Sequence, residues 1–341
     1  AWLKAFTFPE ELKHEDAVYA AAVYERVVRA LVRHGTTTAL MYGTMHHGGT
    51  AALFEAAKRA KINAFIGNVH MERNADDKGR LTIPVEQSLE VTEALRETYH
   101  LKANGRLHLV MIPRFAICVP GTSLDRQALY ADHHGLLKTT HLAENLREVW
   151  FTRDLCRQPN QDISDFSYAR FYADHGFLDG RSIQAHCNYL SRYDLELMIA
   201  NQTRVAHCPT SNIALNSGLM PLRKMLGKLP VSLGSDISGG PDLSMLRVAR
   251  SARETVKLHR IHEIQSGRTH INLVERDPEF NLLTQAEAYY LQTLAGAQVL
   301  GVDHEIGTFE VGKYFDAVVA SYSAGELEDL YDDKTAGSNT E

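Results

Sequence analysis

At 341 residues the chain is longer than most small single domains but ordinary for one α/β barrel. It is 44% hydrophobic and 23% charged, enough to bury a large core. A net charge of −6 with no Lys/Arg block gives no electrostatic reason for nucleic-acid or anionic-membrane partners, and no apolar run nears the roughly 18 residues that cross a bilayer. The four cysteines, Cys118, Cys156, Cys187 and Cys208, are scattered with no CxxC pair and read as reduced thiols of a cytoplasmic protein. The chain starts without Met and ends in a polar stretch, so both ends are expected to have been cut from something longer.

In chain order, the first predicted element is a helix over Asp16–His34. Val23, Val27, Val28 and Leu31 share one of its faces, and Gly35 closes it. A β-rich run at Thr36–Gly43 leads to a helical pattern at Gly48–Ala60 and a second run at Asn63–His70. The alternation continues with helix Ile83–Tyr99, strand Arg106–Phe115, helix Ser123–His134 and strand Leu136–Glu144. An aromatic-rich insert, Cys156–Phe177, suits a loop with helical turns over a barrel mouth. Strands Ser182–Tyr189, Arg204–Asn212 and Val231–Gly240 are separated by helices Ser191–Asn201 and Leu219–Leu226. Helical patterns at Leu243–Ile264 and Thr284–Leu300 follow, and Ile306–Ala320 reads as short alternating strands between Gly turns.

The strands are near-continuously apolar, as parallel strands buried on both faces are. An open doubly wound sheet and a closed barrel both fit that pattern. Arg114, His141, Glu144, His186, His207, Asn212 and Asp236 all fall at or just past C-terminal strand ends, which converge on one mouth only in a barrel. The expectation is therefore a (β/α)8 TIM-type barrel, with seven strands visible and strand 1 lacking. It assigns 1–304 to the barrel (strands 2–8) and 305–341 to the start of a small β-sandwich segment, incomplete in this chain.

His141 and Glu144 make an HxxE pair at one strand end, His186 ends the next strand, and Asp236 sits in a Gly-Ser-Asp turn. Imidazole and carboxylate are donors zinc accepts, and a zinc ion with few protein ligands lowers the pKa of a bound water to about 7. Singly, each residue has a plainer reading: a satisfied polar strand end, a solvated loop charge, a turn former. Jointly, ligand-type residues ending successive strands favour a metal-dependent hydrolase. His46-His47 and His133-His134 lack the HxH alternation and read as solvent-facing, while His207 and Cys208 read as supports of the barrel mouth. Gly239-Gly240 reads as a backbone turn close to the metal, since no phosphate-loop pattern surrounds it.

Several blocks together carry a family resemblance: Thr7–Pro9 (TFP), Gly35–Thr38 (GTTT), Pro113–Phe115 (PRF), Thr140–Asn145 (THLAEN), Ala185–Leu190 (AHCNYL), Ala206–Asn212 (AHCPTSN), Leu233–Gly240 (LGSDISGG) and Glu305–Asp316 (EIGTFEVGKYFD). The chain resembles the amidohydrolase superfamily and, within it, the guanine deaminases. The resemblance implies hydrolysis of guanine to xanthine and ammonia with one Zn(2+) per subunit, although iron suits the same donors. It implies that His141 and Asp236 bind the metal, that Asp236 also takes the water proton, and that His186 orients the hydroxide without ligating. Glu144 would shuttle a proton to a ring nitrogen, Arg114 would clamp the ring carbonyl, and Phe115 would stack on the base, with His141, Glu144 and Asp236 also meeting substrate. The same relationship implies a homodimer acting on a small molecule. Deamination of a related ring (8-oxoguanine, a pterin, S-adenosylhomocysteine, a triazine) and a non-catalytic scaffold stay open. The family's HxH pair on strand 1 is absent from the sequence, so the chain alone is expected to bind zinc weakly and to be inactive by itself.

Overall fold

The computed structural model describes residues 3–76, 78–156, 166–266 and 282–319. Its centre is a parallel sheet whose strands mostly alternate with helices. The strands are β1 (Thr38–Tyr42), β2 (Asn63–Gly67), β3 (Val69–His70), β4 (Leu107–Pro113), β5 (Leu137–Leu142), β6 (Ser182–His186), β7 (Arg204–His207) and β8 (Val231–Leu233). They lie in the order β1-β2-β4-β5-β6-β7-β8, and β3 continues β2 to pair with β4. All seven runs read from the sequence form strands in this path.

The sheet is curled. β1 and β5 are three steps apart, about 14 Å in a flat sheet at the usual spacing. Yet the hydroxyls of Tyr42 on β1 and Thr139 on β5 are 3.2 Å apart, and the Tyr42 ring centre is 5.2 Å from that of His141. Only a sheet rolled toward a barrel brings those side chains together. Among the described residues no strand pairs the outer edges of β1 and β8. β1 is only half-buried along its length, whereas β2 is buried from Ala64 to Gly67. A cavity of about 2540 Å³ runs down this open side and up to the strand ends. That is larger than a small-ligand pocket of about 300–1,000 Å³, so its size reports the open wall and not a ligand.

Local sequence explains the flanking helices. Asp16 caps Ala17–Arg33 by accepting from the Val18 and Tyr19 amides at 2.8 and 3.4 Å, a cap worth about 1 kcal/mol. Gly35, at φ +83°, releases the chain into β1. Ala20, Val28 and Leu31 are buried on this helix, while Val23 and Val27 line the open cavity. Helices His47–Ala60, Val85–Tyr99, Gly121–His133, Arg192–Ala200 and Met245–Gln265 match the predicted segments.

Three expectations are corrected. Leu219–Leu226 yields a single turn, Leu222–Met225, because Pro221 ends the extended approach. Thr284–Leu300 is two helices, Gln285–Gln292 and Leu294–Leu300, broken at Thr293 (φ −121°, ψ −98°). From 306 to 319 the chain makes turns but no strand: Phe309, Val311, Phe315 and Val319 stand exposed, with no neighbouring strand among the described residues. The segment is tied back to β1's approach by the Thr37 hydroxyl, which donates to Asp316 at 2.9 Å. Ala320, and most of the insert before Phe166, lie outside the described residues.

Candidate active site

Thr139 and His141 share the inner face of β5, two residues apart as strand alternation requires. The His141 Nδ1 is 2.6 Å from the Arg114 carbonyl. A carbonyl only accepts, so Nδ1 carries the hydrogen and Nε2 keeps its lone pair for the interior. Burial, then the nearby His186 ring, push the His141 imidazole down in pKa, which holds it neutral as ligation requires.

His186 reaches the same place by a different route. On β6 the residues Ile183 and Ala185 face the cavity, so plain alternation would send His186 outward. Its φ of +71° breaks the strand geometry and turns the ring back. It lies 5.4 Å from the His141 ring, nearly parallel, and its Nδ1 is 2.8 Å from Asn212 Oδ1. Ala143, Cys187 and Asp236 also have positive φ. Such conformations cost of order 1–3 kcal/mol each and collect where geometry is functionally imposed.

Asp236 follows β8 in the Gly-Ser-Asp turn, its Oδ2 accepting from Ser211 at 2.5 Å. A Cβ on Gly239 would meet that Oδ2 at 2.6 Å, and one on Gly240 would meet the Ser235 carbonyl at 2.0 Å. The Gly pair is a backbone turn pressed against the site. One donor atom from each of His141, His186 and Asp236 lies within 4.8 Å of the others. Zinc bonds of about 2.0–2.2 Å fit such a triangle after a small closing movement, and the nitrogen and oxygen donors match that ion. Among the described residues this is the one group of three or more His, Cys, Asp or Glu able to hold a metal.

Glu144 is presented by a capped turn. Its amide and that of Asn145 donate to Glu148 Oε2 at 2.8 and 3.2 Å, and Asn145 Oδ1 accepts from the Glu148 amide at 2.9 Å. This reciprocal cap starts the helix Leu146–Cys156. Glu144 Oε1 accepts from the Ser217 hydroxyl at 2.8 Å, and its carbonyl accepts from Asn188 at 2.7 Å. Burial, then the Glu144 charge, push Glu148 up to about 7.

Arg114 and Phe115, just past β4, line the same cavity. Arg114 Nη1 donates to both oxygens of Glu11, at 2.6 and 2.7 Å, and its guanidinium lies 5.4 Å from the Phe8 ring centre. The Phe115 ring is 6.3 Å from that of His141. Thus Arg114, Phe115, His141, Glu144, His186 and Asp236 all come together, and His186, expected to orient water without ligating, stands inside the donor triangle.

His207 does not join them. It is fully buried, lines no part of the cavity, and neither ring nitrogen has a partner among the described residues. Sequence reasoning missed Glu11, Glu148, Ser211 and Ser217. Only Glu148 had a readable signal, the Asn-x-x-Glu cap at 145–148.

The amidohydrolase family profile matches residues 2–338. The chain belongs to the amidohydrolase family. It is 34% identical to the guanine deaminases of Dictyostelium discoideum and Escherichia coli, covering 98% of this chain and 70% of each relative. Among solved structures, it superposes on guanine deaminase from C. acetobutylicum with bound guanine in the active site at a TM-score of 0.79 and 32% identity, over 91% of this chain and 69% of that one. A zinc-bound adenosine deaminase from Xanthomonas campestris, 22% identical at TM-score 0.68 over 87% of this chain and 60% of that one, shares the fold.

Proposed function

We propose that this protein hydrolyses guanine to xanthine and ammonia, with zinc held by His141 and Asp236 and with His186 beside them. The observation that carries the reading is the His141–His186–Asp236 donor triangle at the ends of β5, β6 and β8, with Glu144 and Arg114 facing the same cavity. The guanine deaminases matched along nearly the whole chain support guanine as the substrate.

Held by His141 and Asp236, zinc would supply the Lewis acidity that lets a water ionise near neutral pH. His186, with Nδ1 engaged by Asn212, keeps Nε2 as an acceptor that would orient the water. Asp236, with one oxygen fixed by the Ser211 hydroxyl, would both hold the metal and take the water's proton. Glu144 likewise has Oε1 held by Ser217, so Oε2 carries the proton to the ring nitrogen and makes the adjacent carbon electrophilic. Glu144 then carries the proton of the newly added hydroxyl to the departing amine, so the ring carbonyl forms as ammonia leaves. Arg114 keeps Nε and Nη2 for the ring carbonyl while Glu11 occupies Nη1. Phe115 forms one wall of the base pocket.

Four free thiols support a reducing, cytoplasmic setting, and among the described residues no helix is long and apolar enough to cross a membrane. We also propose that the barrel unit ends near residue 304, where the chain leaves the helices and rests against β1's approach. The test is direct: since the chain alone is expected to bind zinc weakly and be inactive, a form that also carries an HxH strand is supplied with zinc and incubated with guanine while xanthine and ammonia are measured, with Asp236→Asn as control. Formation of both products in equal amounts by the wild type, and not by the variant, supports the reading. Faster turnover of 8-oxoguanine, a pterin, S-adenosylhomocysteine or a triazine, or no product from any of them, rejects it.

A further inference from the structure

One short segment reaches three site residues with three different side chains. After β7 the chain forms the helix Pro209–Ala214 and a turn that ends at Ser217. Ser211 donates to Asp236 at 2.5 Å, Asn212 accepts from His186 at 2.8 Å, and Ser217 donates to Glu144 at 2.8 Å. The three recipients belong to three other strand ends, those of β8, β6 and β5. Ser211, Asn212 and Ser217 are themselves buried, which limits competition from water for these bonds.

The segment is in turn held from both sides. The Asn212 amide donates to the Cys208 carbonyl at 2.9 Å, and the Ser217 amide to the Asn212 carbonyl at 2.8 Å. The Tyr189 hydroxyl donates to the Ser217 carbonyl at 2.7 Å, and Asn212 Nδ2 to Asn188 Oδ1 at 2.8 Å. Asn188 also donates to the Glu144 carbonyl, which closes a loop of hydrogen bonds between the segment and the Glu144 turn.

We infer that residues 211–217 are a brace for the site, and that Ser217 is the positioning residue for Glu144. The inference rests on the function proposed above. A glutamate that moves a proton between two substrate atoms has three rotatable bonds, and a single conformation has to serve both transfers. Ser217 removes that freedom by tying down one oxygen and leaving the other to face the cavity. Misplacement of a reacting group by about 1 Å costs about 100-fold in rate, and loss of an orienting partner typically costs about 10- to 100-fold.

The experiment compares wild type, Ser217→Ala and Ser217→Thr, each in the form that also carries an HxH strand and each supplied with zinc, by guanine kinetics, thermal melting and crystallography. Ser217→Ala is expected to lower kcat about 10- to 100-fold while KM and Tm stay near wild type. Ser217→Thr keeps the hydroxyl and is expected to recover most of kcat. The Ser217→Ala crystal structure is expected to show the Glu144 carboxylate displaced. A Glu144 that keeps its pose in that crystal overturns the brace whatever the activity. A kcat within about twofold of wild type, or a loss that a folded Ser217→Thr fails to restore, overturns it as well. Wild-type protein that converts no guanine sinks the functional reading instead, and the crystallographic arm still decides the brace.

Discussion

The pairing of Glu11 with Arg114 links the first described α-helix, Phe8–Lys13, to the end of β4, and its strength follows from where it sits. Two unit charges about 4 Å apart attract by about 4 kcal/mol at an effective dielectric near 20. Against this stand the partial desolvation of both groups and the ordering of two long side chains. The Arg114 and Glu11 side chains are 13% and 29% exposed respectively, between the surface case of about 0–1 kcal/mol and the fully buried case of about 3–5. A coupling of about 1–3 kcal/mol is therefore expected from a double-mutant cycle on Glu11→Gln and Arg114→Met, read from urea unfolding. Guanine kinetics give a second readout. Glu11→Gln leaves the guanidinium unanchored, so KM is expected to rise about tenfold with kcat nearly unchanged. Single-variant effects that simply add, within about 0.5 kcal/mol, with KM unmoved, would refute the view that Glu11 holds Arg114 in place.

Other expectations follow from the same geometry. Arg114→Lys keeps the charge but loses the planar fork, and should raise KM for guanine about tenfold or more in steady-state assays. Glu148 moves from the ordinary 4.5 to about 7 in the fold. The native state thus holds a proton the unfolded chain has released, and this stabilisation is complete below pH 4.5 and lost as pH rises through about 7. The shift corresponds to about 3 kcal/mol, so Glu148→Gln should flatten the fall in urea midpoint across that window, and an unchanged slope would contradict the assignment. Burial pushes His207 down to about 3, and its ring has no partner among the described residues. His207→Leu should raise stability by about 1–3 kcal/mol and leave guanine turnover intact, whereas lost turnover would mean that the ring acts on the site.

Much of the architecture was legible because parallel strands buried on both faces are written as short apolar runs, and their polar ends mark the mouth. Thr139 and His141 could be aimed from alternation alone. His186 could not, since its inward turn depends on a left-handed φ that no periodicity reports. The break at Thr293 was invisible for a similar reason: the flanking helical patterns join without Gly or Pro. Glu11 and Arg114 are 103 positions apart, and Ser217 is 73 from Glu144, so only the fold brings them together. By contrast, the Asn145–Glu148 cap is local and stood in plain view. The short strands expected after Ile306 failed because alternation describes a face to be buried, and no neighbouring strand among the described residues covers it.

The most direct measurement is a crystal structure of the protein soaked with zinc. The account predicts an ion within about 2.0–2.2 Å of His141 Nε2 and an Asp236 oxygen, with His186 and Glu144 facing it. Zinc bound elsewhere, or His141 and Asp236 pointing apart with no ion between them, would contradict it.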